Sequence, residues 1–250
     1  MPKIQGNTRP KMITEAELQK LFEVFDRELE RKKKLPEFDP SKVQHWFKPV
    51  IVVYFYGGLR KHEATYSPEL VYSGLQGENL TYQDGTLAYI DLPATKGRSE
   101  RRIPIIRSHR RYLNEYLAIR GPVGPKDYLF MYMGGKTKDQ PVRGDRVYRE
   151  FKRYAKVAGI PSMRSLHGMR HQAVTQWIDD GFHTAEASYM AGPCTKTAGA
   201  CLLLNVLPRD RDIGGPINGW QIPWPSARRQ VFDRHQQPSE QSVPVSFRGE

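Results

Sequence analysis

Residues 78–105 interrupt an otherwise helical periodicity, and that interruption narrows the folds open to this chain. Asp84-Gly85 is a two-residue hairpin signal, flanked by Leu80-Thr81-Tyr82 and by the strand-like run 87–92. A second turn at 95–99 leads into Arg101-Arg102-Ile103-Pro104-Ile105. Together these segments predict a small three-stranded antiparallel sheet. Pro104 cannot donate to a ladder, so its strand belongs at an edge.

Helical spacing holds on both sides of the sheet. Thr14-Glu15-Ala16-Glu17 has the form of a capping box. Leu18, Leu21, Phe22, Phe25 and Leu29 then follow at the spacing of one helical face. Arg31 to Lys34 read as a solvated helix end, and Pro36 and Pro40 as a loop. A second helix is expected over 43–56, ending at Gly57-Gly58. Ser108 is expected to cap a helix carrying Tyr112, Leu113, Tyr116 and Leu117. Val147, Phe151, Tyr154, Ala155 and Ala158 mark another, stopped by Gly159 and Pro161. Residues 166–180, stopped by Gly181, and 184–191 complete the set. The predicted fold is mainly α with a small three-stranded antiparallel β-sheet.

This organisation ends at Gly192. Residues 193–250 hold seven prolines and no tyrosine, with little periodicity of either kind. Their composition need not pack. Three parts are expected: a basic tail over 1–12, one domain over 13–192 and an aberrant tail over 193–250.

Charge gives the first functional constraint. The net charge is +12 and the sequence pI about 9.7, a balance that suits a polyanionic partner bound through phosphate neutralisation. An evenly spread basic surface is the plainer alternative. No apolar run approaches the roughly 20 residues needed to span a bilayer, and residues 1–10 lack the apolar core of a secretion signal. Cys194 and Cys201 supply neither a disulfide framework nor zinc-ligand spacing. The expectation is a cytoplasmic protein with no membrane contact.

Three clusters could carry chemistry: Gly57-Gly58-Leu59-Arg60-Lys61-His62-Glu63, the turn lysine Lys96, and Leu166-His167-Gly168-Met169-Arg170-His171. Each has a structural explanation when taken singly. Arg60 can pair with Glu63 three residues on. Lys96 can be an ordinary exposed lysine. His167 and His171, four apart on a helix, can be satisfied polar groups or two metal ligands, although no third ligand is evident.

In order and spacing the clusters resemble the tyrosine recombinase (phage integrase) family over about residues 12–192. That family shows a Gly-Leu-Arg-x-x-Glu box, a hairpin lysine and a His-x-x-Arg-His box, matched here by Arg60 with Glu63, by Lys96, and by His167, Arg170 and His171. The resemblance implies a catalytic domain that breaks and rejoins double-stranded DNA through a phosphotyrosyl intermediate, in integration or site-specific recombination. Arg60 and Arg170 would hold the non-bridging phosphate oxygens. Lys96 would protonate the departing 5′-hydroxyl, and His167 would bond to the phosphate or move a proton there. Glu63 and His171 would support them. Neither a cofactor nor a metal is implied, because the covalent intermediate conserves the bond energy. Partners would be duplex DNA and other protomers in a synaptic tetramer.

The pattern breaks where the periodicity does. The family places Gly-His about two dozen residues after the second box and the nucleophilic tyrosine nine residues beyond. Gly192 arrives on schedule, but Pro193 follows it, and Leu202 stands where the tyrosine is due. Tyr189, the last tyrosine, reads as core packing, and nothing near Cys201 depresses a thiol pKa. The chain is therefore expected to lack a nucleophile and to be inactive. Removing one C from codons of the form GGN-CCN-TGY can yield GGN-CAT, which is Gly-His, so one expectation is a single-base insertion that puts residues 193–250 out of frame. Divergence into a non-cleaving paralogue that occupies recombination sites is the competing explanation. The family's usual preceding core-binding domain is also expected to be absent or supplied in trans.

Overall fold

In the computed structural model, which describes residues 12–94 and 100–192, the first helix starts where its capping box predicts. Thr14 Oγ1 accepts from Glu17 N at 3.2 Å, and Thr14 N donates to Glu17 Oε2 at 2.8 Å. Helix α1 (Glu15–Lys33) buries Leu18, Leu21, Phe22, Val24 and Phe25, and places Arg31, Lys32 and Lys33 in its last turn. There they oppose the negative end of the helix dipole. Two ion pairs carry α1 to distant parts of the chain: Glu28 with Arg153 at 2.7 Å, and Glu17 with Arg164 at 3.2 Å.

Helix α2 runs over Phe47–Phe55 and is almost wholly buried. It starts later than the expected residue 43. Pro49 accounts for this: its ring fits the first helical turn but would clash with a helical carbonyl four residues earlier. Helix α3 (Lys61–Ala64) is a single turn. The sheet then follows as β1 (Leu80–Gln83), β2 (Thr86–Leu92) and β3 (Arg101–Pro104). Its strands are antiparallel in the order β1-β2-β3, so Pro104 lies on an edge strand. Asp84 and Gly85 both have positive φ, 50° and 71°. That is the two-residue turn whose twist suits a hairpin. The register slips once, between Thr81 and Tyr82.

Helix α4 (Arg107–Arg120) has Ile106, not Ser108, at its cap position. The strand's bonding continues through Ile105, whose N–H reaches Ala88 O at 2.8 Å. Only one residue is then left to turn the chain into the helix. Helices α5 (Gly144–Val157), α6 (Leu166–Asp179) and α7 (Thr184–Ala191) follow, with Gly159 and Gly181 in the left-handed region just past α5 and α6. One core joins them around α2, which packs on both α4 and α6. The architecture is mainly α with a three-stranded antiparallel sheet, as expected. Among the described residues, no helix is long and apolar enough to cross a membrane.

Candidate functional site

Two glycines deliver Arg60 to the surface of this core. Gly58 has φ +59°, and a Cβ there would sit 3.0 Å from Trp177 Cη2 and 3.1 Å from Ala173 Cβ. The turn after α2 can therefore press directly on α6 only without a side chain. Leu59 is buried behind it, and Arg60 takes the cap position of α3 with extended backbone.

Glu63 fixes Arg60 twice. Its Oε2 accepts from Arg60 N at 2.6 Å and its Oε1 from Arg60 Nη1 at 3.0 Å. The i, i+3 pair that explained Arg60 structurally is thus present, and it also orients the guanidinium. Glu63 has a second cation beside it. Arg101 Nη2 lies 2.5 Å from Glu63 Oε2, with side chains only 3% and 5% exposed. Among the described residues, Arg101 Nε has no hydrogen-bond partner. Burial by itself would raise the Glu63 pKa, but Arg101 and then Arg60 hold it down to about 2. The carboxylate stays charged, and Arg60 keeps 18% of its side chain exposed.

Arg170 projects from the buried face of α6 that also carries Leu166, Met169, Ala173, Val174 and Trp177. Its Nη1 donates to Gly58 O at 2.6 Å and its Nη2 to Ala191 O. It thereby ties the Arg60 turn to the end of α7. His167 is exposed on the first turn of α6, and His171 lies half-buried one turn later. Their Nε2 atoms are 3.1 Å apart, with the rings perpendicular. The His171 pKa is lowered by burial first, then by His167 and Arg170. No group of three or more His, Cys, Asp or Glu able to hold a metal occurs among the described residues.

The entry to α6 is itself fixed. Ser165 Oγ accepts from Gly168 N at 3.1 Å. Lys152 Nζ donates to the carbonyls of Ser162 and Arg164 at 2.6 and 2.8 Å. The loop that presents His167 is thus held from α5.

Arg60, Glu63 and Arg170 therefore converge on one turn, and His167 and His171 lie on the helix that packs against it. Lys96, Pro193, Cys194, Cys201 and Leu202 lie outside the described residues. Tyr189 departs from expectation: it is 43% exposed, because α7 turns Ala187 and Met190 inward instead. It lines a surface cleft with Asp91, Arg101 and Arg102.

Two features went unread in the sequence. Arg101 occupies an inward position of β3, in phase with Ile103, so strand alternation alone marks it as a buried charge. A second cleft of about 560 Å³ is rimmed by Lys42, Arg143, Arg146 and Arg149 beside Trp46 and Tyr132. The three arginines recur every third residue at the start of α5, a spacing that puts them on neighbouring positions of one face.

Known proteins share this arrangement of elements. The tyrosine recombinase XerA of Pyrococcus furiosus is 29% identical over 181 residues, covering 72% of this chain and 52% of that protein. The chain thus spans about half the length of that curated relative. A crystal structure of XerA recombinase superposes with a TM-score of 0.55 at 17% identity, covering 96% of this chain and 68% of the other. XerH site-specific recombinase, solved on its palindromic difH substrate, gives 0.56 at 20% identity, covering 80% and 50%. The model of the phage integrase family matches residues 11–192, and the chain belongs to that family of tyrosine recombinases.

Proposed function

We propose that the chain binds double-stranded DNA as the phosphate-gripping part of a tyrosine recombinase catalytic domain, in DNA integration or site-specific recombination. The observation that carries this reading is the Gly58 turn. There Arg60, mostly buried at its side chain, and the buried Arg170 are held together with the first turn of α6, which bears His167. Arg60 keeps 18% of its side chain exposed, and a guanidinium's planar fork matches a phosphate oxygen pair. His167 adds a neutral or charged donor at a helix start, where the dipole favours an anion. The basic cleft at the start of α5 can take a second stretch of backbone phosphates. XerH was solved on a DNA substrate, which supports DNA as the partner.

In the full reaction Arg60 and Arg170 would stabilise charge on the non-bridging oxygens, Lys96 would protonate the leaving 5′-hydroxyl, and a tyrosine would take the phosphate. Residues 193–250 contain no tyrosine, and Tyr189 lies on α7 before the position where the family's nucleophile is due. The proposal is therefore that this chain grips DNA without cleaving it, and occupies sites at which an intact cytoplasmic recombinase of a mobile element assembles.

The test has two parts. A nicked suicide duplex, which traps covalent protein–DNA adducts, should yield none; any adduct would overturn the claim of inactivity. A filter-binding titration with duplex DNA in rising salt should show steep loss of affinity. Absent or salt-independent binding removes the DNA-gripping reading itself. Sequencing the encoding DNA across codon 193 decides between a shifted frame and divergence.

A further inference from the structure

Arg101 has no part in the phosphate chemistry described so far, yet it is a buried cation whose charge partner, Glu63, is also a partner of Arg60. Its side chain is 3% exposed and faces the Glu63 carboxylate at 2.5 Å. Burying a guanidinium is costly unless the geometry around it compensates. Here the compensation is incomplete among the described residues, where Nε lacks a hydrogen-bond partner. A pair whose only task was stability would be served as well by packed apolar groups. An arginine at such a place points to a task for the charge.

The task follows from how Glu63 is shared. Its two oxygens must hold Arg60 at both the backbone N and Nη1. A carboxylate with one anchor can swing about its terminal torsion, which is broad for glutamate. Arg101 supplies a second anchor, on Oε2. Arg101 is also fixed at both ends. Its backbone pairs with Leu92 in the β2–β3 ladder. Its guanidinium lies against Gly192, where a Cβ would overlap Nη1 and where φ is +70°.

We propose that Arg101 is a positioning residue for Arg60. It clamps the Glu63 carboxylate so that the Arg60 guanidinium is held in the orientation in which it receives a DNA phosphate. The effect runs through Glu63 and needs no contact between Arg101 and DNA. This inference rests on the phosphate role given to Arg60 above, and its test has one arm that does not.

The first arm reads Arg60 directly. The side-chain Nε–H of Arg60, assigned in a nitrogen-15 spectrum by its loss in Arg60→Lys, should be ordered in the wild type. In Arg101→Met it should become mobile and exchange faster, while the protein stays folded by circular dichroism. Arg101→Lys should fall between them, because it returns the charge without the planar fork. Where Arg101→Met does not fold, Arg101→Lys alone carries this arm. An Arg60 signal equally ordered in a folded Arg101 variant would overturn the proposal.

The second arm reads duplex DNA binding by fluorescence anisotropy. Arg60→Ala and Arg101→Met should each weaken binding about tenfold, and the double variant no further, because both act through one contact. Effects that multiply to about a hundredfold would show that Arg101 acts independently and sink the idea. If the wild type binds no DNA, the phosphate role of Arg60 fails, and the first arm still decides whether Arg101 positions it.

Discussion

Arg170 Nη1 and the Gly58 carbonyl oxygen are 2.6 Å apart, joining positions separated by 112 residues of chain. A single side chain thus fixes the turn that carries Arg60 to the helix that carries His167. Because Nη2 also serves Ala191 O, Arg170 has a structural load as well as its proposed phosphate role. Arg170→Ala would leave two inward carbonyls without their donor, and should cost about 3 kcal/mol of stability. Arg170→Lys should recover less than half, because one ammonium cannot reproduce the fork. Urea unfolding measures both, and a loss in Arg170→Ala below about 1 kcal/mol would remove the structural role.

The Gly58 turn predicts a contrast between two glycines of similar φ. Gly58 and Gly85 have φ of +59° and +71°. A Cβ at Gly58 meets Trp177 and Ala173, whereas one at Gly85 meets nothing within 4 Å. Gly85→Ala should therefore cost only the left-handed conformation, about 1–2 kcal/mol. Gly58→Ala should cost about 2 kcal/mol more, from forcing α2 and α6 apart. Equal shifts in thermal midpoint would show that packing at Gly58 is looser than described.

Acid should destabilise the fold in two separable windows. His109 is fully buried between α2 and α4, with Nε2 3.1 Å from Val52 O, and burial depresses its pKa from 6.5 to about 3. Its unfolded form takes up a proton first, so stability present above pH 6.5 is lost as the pH falls towards 3. Glu63, depressed from 4.5 to about 2, contributes stability that is complete above pH 4.5 and lost towards 2. His109→Gln should flatten the upper window only, and Glu63→Gln the lower only. Urea midpoints across pH 2–7 would show either variant acting in the wrong window.

DNA affinity should respond differently to two kinds of arginine. Arg60→Ala removes one proposed phosphate contact, so the slope of log affinity against log salt should fall by about one. Arg146→Ala and Arg149→Ala together should lower it by about two if the α5 cleft also meets the backbone. Unchanged slopes in the second pair would confine DNA to the Arg60 turn.

How far the sequence reveals this structure depends on the range of the forces involved. The capping box at Thr14, the Asp84-Gly85 hairpin and the glycine stops at 159 and 181 are local devices, and all are legible. Pro104 could be placed on an edge strand for the same reason. The late start of α2 was legible too, in Pro49, but periodicity ran past it. Helix α3 is one turn long, too short for any periodic signal. Ile106 caps α4 because the neighbouring strand holds Ile105, which no local rule contains. For the candidate site, Arg60, Glu63, His167 and Arg170 were singled out by the order and spacing of boxes that resemble the family's, and their proposed roles rest on that resemblance. Arg101 was missed because paired arginines read as solvated unless strand alternation is followed through them. Tyr189 was misplaced because α7, only eight residues long, leaves its inward face undecided.

The long-range ion pairs of α1 have a consequence for synthesis. Glu28 finds Arg153 across 125 positions, and Glu17 finds Arg164 across 147. The first helix leaves the ribosome well before either partner exists, with its apolar stripe of Leu18, Leu21, Phe22 and Phe25 uncovered. At a translation rate of roughly 5–20 residues per second, that wait lasts on the order of ten seconds. During that interval the stripe is exposed apolar surface of the kind that makes incomplete chains prone to aggregate. Slowing elongation after α1 is therefore expected to lower soluble yield more than slowing it after α5.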